Sequence, residues 1–407
     1  MTMRLADIFR DDHTPTMLGI GPMSATAVRA GLRAAAETAT PALFIASRNQ
    51  VESAELGGGY AEGWDQAGLV RYLSEEASRW PGTLKWFVGR DHGGPWQRDD
   101  EYLARVPWAL ARDRALRSLC DDIDAGFHYL HIDAAKDPFL DDAIPVDLGV
   151  GRIVELIRGA EIHRSSRDLP GIAYEVSLEK ANGQVTPPAE FDFFLDSLLT
   201  ELARQSLPMP LFAVANTGTW TKLDRNVGEF REDSAQQLTA IARRYGLVFK
   251  EHNADYLADG DLRSHARCGI GMANVAPEFG HAETAALLDL ADLELIGVPP
   301  HTTSGIAGKL AELVTQSGRA AKWLHGSSAD QADHQLLAKI GGHYFFSHPA
   351  IREARDALFA NIRATVLHGD PGQLIEDRIT ASIRRYIDIF TESKIPDSSP
   401  NASSRMS

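Results

Sequence analysis

In the stretch "WFVGRDHGGPW", residues 86 to 96, Asp91 and His92 stand side by side after an apolar run and ahead of a glycine pair. A carboxylate next to an imidazole can pass protons or share a cation. Similar groups recur along the chain: Asp133 closes "YLHID", Glu175 interrupts "IAYEVSL", Asn216 closes "LFAVAN", Lys250 and His252 close "LVFKEH", and Asn274 lies in "GMANVA". Each ends or breaks a run that is otherwise apolar. Carboxylates in an interior cost several kcal/mol apiece, as an order of magnitude, unless a cation or a hydrogen-bond network compensates them. A divalent metal is the simplest compensation. Two neutral imidazoles, His92 and His252, with carboxylate oxygen suit zinc or manganese and leave positions open for substrate oxygens.

Each residue also has a plainer reading. A histidine at a strand end is often just a hydrogen-bonded rim residue, and only His92 and His252 together, with Glu175 between them, point to a ligand set. Asp133 could cap the following loop. A glutamate such as Glu175 inside a strand is unusual without function. Asn216 and Asn274 could satisfy loop backbone. Arg48, Asn49 and Gln50 follow the second run, either as a solvated loop or as a clamp for hydroxyls or an anion. Lys250 could pair with Glu251 or Asp255, or reach a polarised substrate oxygen. The run "LGGGY" could let backbone approach a ligand, and alone is a flexible loop.

The elements that must position these groups are short apolar runs alternating with helical periods: 16–23, 42–47, 84–89, 129–133, 172–178, 211–216, 247–252 and 271–276. This is the pattern of βα units around a parallel sheet, and eight runs are what closes a (β/α)8 TIM barrel. An open doubly wound sheet is the alternative, though no G-x-G-x-x-G follows the first run. Helical segments include "ATAVRAGLRAAAETA" and "SAQQLTAIARRYG", the latter with Ser234 as N-cap and Gly246 as terminator. Residues 1–290 are expected to form the barrel, 291–393 a C-terminal helical extension, and the Ser/Pro-rich 394–407 a disordered tail. In a barrel the polar groups named above share the rim at the strands' C-terminal ends.

The net charge of −15, with no basic stripe, argues against nucleic acid. Cys120 and Cys268 stand far apart, outside any metal or redox spacing. With no signal peptide and no membrane-length apolar run, the expectation is a cytoplasmic protein.

The motifs "FIASRNQVESAELGGGY", "VGRDHGGPWQ", "AGFHYLHIDAA", "YEVSLE" and "FKEHNADY", in this order, resemble the GatZ/KbaZ family of tagatose-bisphosphate aldolase subunits, related to class II aldolases. "HTTSGIAGKLAELV" and "HYFFSHPAI" extend the likeness to roughly residue 390. The resemblance implies a class II aldolase-like barrel acting on a ketose or ketose phosphate, by retro-aldol cleavage or, as in hexuronate C4 epimerases with a similar Tyr-Glu-Val-Ser strand, by C4 epimerisation. It implies a divalent metal, zinc or manganese, held by His92 and His252. Asp91 would exchange the C4 hydroxyl proton, Glu175 would handle protons on the enediolate side, and Asp133 would join them as a catalytic carboxylate. Arg48, Asn49, Asn216, Lys250 and Asn274 would bind substrate. Two departures stand out. Asn216 occupies the place near the sixth strand where the family's catalytic aldolases carry a third histidine, so Glu175 or Asp133 replaces it or the metal is weak or absent. Gly341, Gly342 and His343 stand where arginines are expected, which weakens the case for a second phosphate. A different class of function also follows from the family: a non-catalytic partner that stabilises an aldolase subunit, or assembles with its own copies. A sugar-phosphate kinase finds no P-loop to support it.

Overall fold

In the computed structural model, which describes residues 4–10, 14–80, 82, 84–140, 143–178, 184–222, 224–318, 334–365 and 369–393, all eight apolar runs form strands. They are β1 (Met17–Ile20), β2 (Ala42–Ser47), β3 (Trp86–Asp91), β4 (Tyr129–Asp133), β5 (Ala173–Ser177), β6 (Phe212–Val214), β9 (Val248–Glu251) and β10 (Met272–Val275). All pair in parallel and close in the order β1-β10-β9-β6-β5-β4-β3-β2, so the fold is a (β/α)8 barrel and not an open sheet. Between β6 and β9 lies a short antiparallel hairpin, β7 (Thr221–Lys222) with β8 (Arg225–Asn226), which the hydrophobic pattern did not anticipate.

Alternation along the strands divides the core in two. Outward residues such as Leu130, Ile132, Tyr174 and Val176 pack under the helices, while the barrel's lower interior is filled by Met17, Leu43, Phe87, Tyr129, Phe212 and Met272. The short helix Leu5–Ile8 plugs that end, with Phe9 edge-on to Phe212 at 5.0 Å. The upper interior is polar, and strands placed in register set its layers: His131 of β4 lies beside Glu175 of β5, and Asp133 beside Ser177.

The helix Ala25–Thr38 begins at Ser24, whose hydroxyl accepts the Ala27 N–H at 3.0 Å. Ser234 is not a cap: the helix runs Glu232–Arg244, so Ser234 falls in its first turn, and the chain leaves through Gly246 at φ 74°. The expected boundary at 290 falls inside the helix Pro277–Gly297, the one that follows β10. Beyond it come helices Ile306–Gln316, His334–Gly341, Pro349–Thr365 and Pro371–Glu392. The last returns to the barrel, tied to Ala25–Thr38 by Arg29–Glu376 (2.8 Å) and Arg33–Asp377 (2.5 Å). Residues 394–407, expected to be a tail, lie outside the described residues. No described helix is long and apolar enough to cross a membrane.

Candidate functional site

The polar layer is built upward from one buried ion pair. Lys250 of β9 points inward over the Tyr129 ring, and its ammonium donates to Glu175 Oε2 at 2.6 Å, both side chains being fully buried. The other oxygen, Glu175 Oε1, accepts from His252 Nε2 at 2.6 Å. Beside it, His131 donates from Nε2 to Ser177 Oγ (2.8 Å) and accepts the backbone N–H of His92 at Nδ1 (3.1 Å). His92 donates from Nδ1 to Asp133 Oδ2 at 2.6 Å, and Asp133 Oδ1 accepts the Ala135 N–H at 2.9 Å. Asp91 receives the Asn274 amide at 3.2 Å and lies 3.9 Å from His92 Nε2, 3.9 Å from His131 Nδ1 and 3.8 Å from His252 Nε2.

Local backbone explains the glycine pair after His92. His92 adopts a left-handed conformation, φ 49°, uncommon for a residue with a side chain and found preferentially at functional sites. The chain must then pass against the end of β4: a Cβ on Gly94 would sit 1.6 Å from the Asp133 carbonyl oxygen, so only glycine fits.

Electrostatics follow from burial and neighbours. Burial alone would raise the Glu175 carboxyl, but Lys250, His131 and His252 outweigh it and hold it well below the usual range. Asp133 is likewise held low against burial by its bond to His92. Asp91 is held low against burial by His92, His252 and Lys250. For His92 burial is outweighed by Asp91 and Asp133, which raise it, whereas burial dominates at His131 and lowers it to about 4, so that imidazole is neutral at pH 7. Three carboxylates against one ammonium leave the cluster with two negative charges in excess before any imidazole is protonated.

This donor set fits a divalent cation. One ligand atom from each of His92, His131 and His252 lies within 4.8 Å of the others, and the same holds for Asp91, His131, Glu175 and His252. Imidazole with carboxylate suits zinc or manganese. The Asp133 bond fixes the ring of His92 and leaves its Nε2 available, as metal-binding histidines are usually held.

Above the cluster opens a cavity of about 410 Å³, with Asp91, His92 and Asp133 at its floor. Asn49 and Asn216 are on its wall, though both amides also serve the loops: Asn49 bonds the Gln97 carbonyl and Asn216 the Thr219 carbonyl. His343 and Tyr344 of the C-terminal part close one side, so the extension belongs to the mouth of the barrel.

Several sequence-predicted residues lie elsewhere. Arg48 is neither solvated nor on the wall: it is fully buried, bonded to Glu101 through two nitrogens (3.0 and 2.9 Å) and to Glu52 (2.9 Å). Lys250 sits beneath the site and pairs with Glu175, not with Glu251 or Asp255. Asn274 contacts Asp91 rather than the cavity. Glu175 and Asp133 have both oxygens engaged, which disfavours proton transfer by either. The residue missed was His131. One of its ring nitrogens lies within 4.8 Å of one from His92 and one from His252, which makes it a candidate third imidazole where Asn216 supplies none. Its signal was present, because a strand that sends Asp133 inward sends His131 inward too.

Comparison with known proteins agrees with this architecture. Residues 217–391 match the family model "D-tagatose-1,6-bisphosphate aldolase subunit GatZ/KbaZ-like". Among curated proteins, the D-tagatose-1,6-bisphosphate aldolase subunit GatZ of Klebsiella oxytoca is 23% identical, covering 88% of this chain and 86% of the relative. The GatZ subunit of Klebsiella pneumoniae is 24% identical, covering 74% and 78%. Among solved structures, a Sinorhizobium meliloti 1021 chain named "probable tagatose 6 phosphate kinase" superposes with TM-score 0.72 at 20% identity, covering 93% of this chain and 100% of its own. The fructuronate-tagaturonate epimerase UxaE of Cohnella laeviribosi gives TM-score 0.57 at 12% identity, covering 92% and 81%. At such identities the structural likenesses speak for the fold alone. The resemblance read from the motifs is borne out: through residues 217–391 the chain carries the GatZ/KbaZ-like pattern, and along most of its length it resembles that family's curated members.

Proposed function

We propose that the chain is a carbohydrate-metabolism barrel that holds a divalent cation among His92, His131 and His252 and works on a ketose at its C3–C4 bond. The observation that carries this reading is the clustering of three imidazoles and the Asp91 carboxylate directly beneath a 410 Å³ cavity, onto which Asp91 and His92 open. A cation held there would polarise the ketose carbonyl and stabilise the negative charge developing on its oxygen. Asp91, which faces the cavity, takes the proton of the C4 hydroxyl. The C3–C4 electron pair stays with C3 as an enediolate, and C4 leaves as an aldehyde. Release of the aldehyde, followed by uptake of a proton at C3 of the enediolate from solvent and loss of the Asp91 proton to solvent, completes a retro-aldol cleavage. Addition of the enediolate to its other face, with Asp91 returning the proton, gives the C4 epimer. Asp133 and Glu175 keep His92 and His252 in place. The test is turnover of D-tagatose and D-fructose, free and phosphorylated, followed by NMR. Asp91→Asn should abolish it while leaving bound metal in place, and an unchanged rate would overturn the role of Asp91.

A second reading has its own support, and the relatives' names stand closer to it: those proteins are named as aldolase subunits. Here the barrel stabilises a catalytic partner and performs no turnover alone. Co-purification with an aldolase subunit whose activity rises on addition of this chain, with no turnover by the chain itself, would establish it.

A further inference from the structure

Phosphorylated substrates need cations or open amide groups, and among the described residues around this cavity, apart from the cation proposed at its floor, most of both are already engaged. Barrels commonly bind phosphate between the loops after the seventh and eighth strands and the N-terminus of a nearby helix. The corresponding place here, where Ala276 and Pro277 line the cavity, begins the helix Pro277–Gly297. Its amides are already taken by the protein's own carboxyl: Asp255 Oδ1 accepts the N–H of Ala276 at 3.1 Å and of Glu278 at 2.9 Å. Glu278 adds a second acid to that first turn, accepting the Tyr256 N–H at 2.6 Å. The helix after β1 is closed in the same manner, with Ala25 N–H donating to Glu62 Oε1 at 3.2 Å.

The neighbouring cations are engaged as well. Arg48 is held by Glu52 and Glu101, Arg90 by Asp122, Arg98 by Asp100 and Lys250 by Glu175. Among the described residues lining the cavity, Lys136 is the single lysine and there is no arginine, while Asp91, Asp99 and Asp133 are there. What the wall does offer is amides and aromatic rings, such as Gln50, Gln97, Asn253, Trp220 and Tyr344, which suit hydroxyls and the apolar face of a sugar.

From this arrangement, and resting on the reading of the cavity as a ketose site, we infer that it takes a ketose without phosphate groups, the place of the phosphate being filled by Asp255. Away from the cation at the floor, the phosphates of a 1,6-bisphosphate meet Asp99, one lysine among the described lining residues and helix amides already taken by Asp255, so the bisphosphate binds at least about tenfold more weakly than the free sugar.

The test is calorimetric titration of the full chain with D-tagatose, D-fructose, their 6-phosphates, their 1,6-bisphosphates and inorganic phosphate. The inference expects the free ketohexoses to bind tightest and inorganic phosphate not at all. Tighter binding of the bisphosphates overturns the inference and leaves the proposed function standing, while no binding of any ketose overturns both. Asp255→Ala supplies a gain-of-function check: with its two amides uncovered it should acquire phosphate binding, whereas Asp255→Asn, which retains an acceptor, should not. Equal phosphate binding by the wild type and both variants would also overturn the inference.

Discussion

Replacing Lys250 by methionine isolates the pair on which the site is built. The ammonium and the Glu175 carboxylate are 2.6 Å apart with no exposure to solvent, so removal of the cation leaves a buried carboxylate with only imidazole partners. Methionine fills nearly the same volume, which keeps the cavity contribution small. Breaking a buried pair from one side costs about 3–5 kcal/mol, a large fraction of the ~5–15 kcal/mol by which proteins are stable. Removing the carboxylate instead, in Glu175→Gln, strands the ammonium and should cost a similar amount. Replacing both should cost less than either alone, because no uncompensated charge remains. Urea unfolding followed by tryptophan fluorescence on the four proteins gives the cycle. A Lys250→Met variant within about 1 kcal/mol of wild type, or a double variant less stable than both singles, would refute the ion pair as the foundation of the site.

Three further outcomes follow from the same geometry. Asp133→Asn weakens the hydrogen bond that holds the His92 ring and should lower metal affinity about 10–100-fold with the fold intact, read by competition with a chromogenic chelator. Gly94→Ala drives a methyl group into the Asp133 carbonyl and should cost about 1–3 kcal/mol in urea unfolding together with part of the metal affinity. Burial raises the Glu283 carboxyl to about 7, against its bond from Ser24 and the charge of Arg355. The folded chain therefore keeps a proton that the unfolded chain has lost, and stability from this group falls as pH rises from the ordinary glutamate value towards 7, then levels off. Glu283→Gln removes that slope, so its stability relative to wild type should rise by up to about 3 kcal/mol between pH 5 and 8.

The barrel was legible because parallel strands covered on both faces must be short apolar runs, and all eight runs sit where the strands lie. The hairpin β7–β8 was not, since two-residue strands carry no period. Local inference also failed where a partner is distant in sequence. Lys250 suggested its neighbours Glu251 and Asp255, yet its partner is 75 residues away. Arg48 suggested solvent or substrate, and the Glu101 that buries it is 53 residues away. Asp91, His92 and His252 were found because each stands at the end of an apolar run. His131 sits inside such a run and was read as part of it, although the alternation Tyr129, His131, Asp133 was visible. That His343 and Tyr344 would close the mouth had no signal, because nothing in a helical pattern says which end of a barrel it covers.

Metal content of the purified chain, measured by inductively coupled plasma mass spectrometry on wild type and on His131→Ala, tests the central claim most directly. The account predicts about one equivalent of zinc or manganese per wild-type chain and a clear loss in the variant, since His131 supplies one of three imidazoles. A wild-type chain that carries no metal and takes up none on titration with either ion, or a His131→Ala chain that retains its full content, would contradict it.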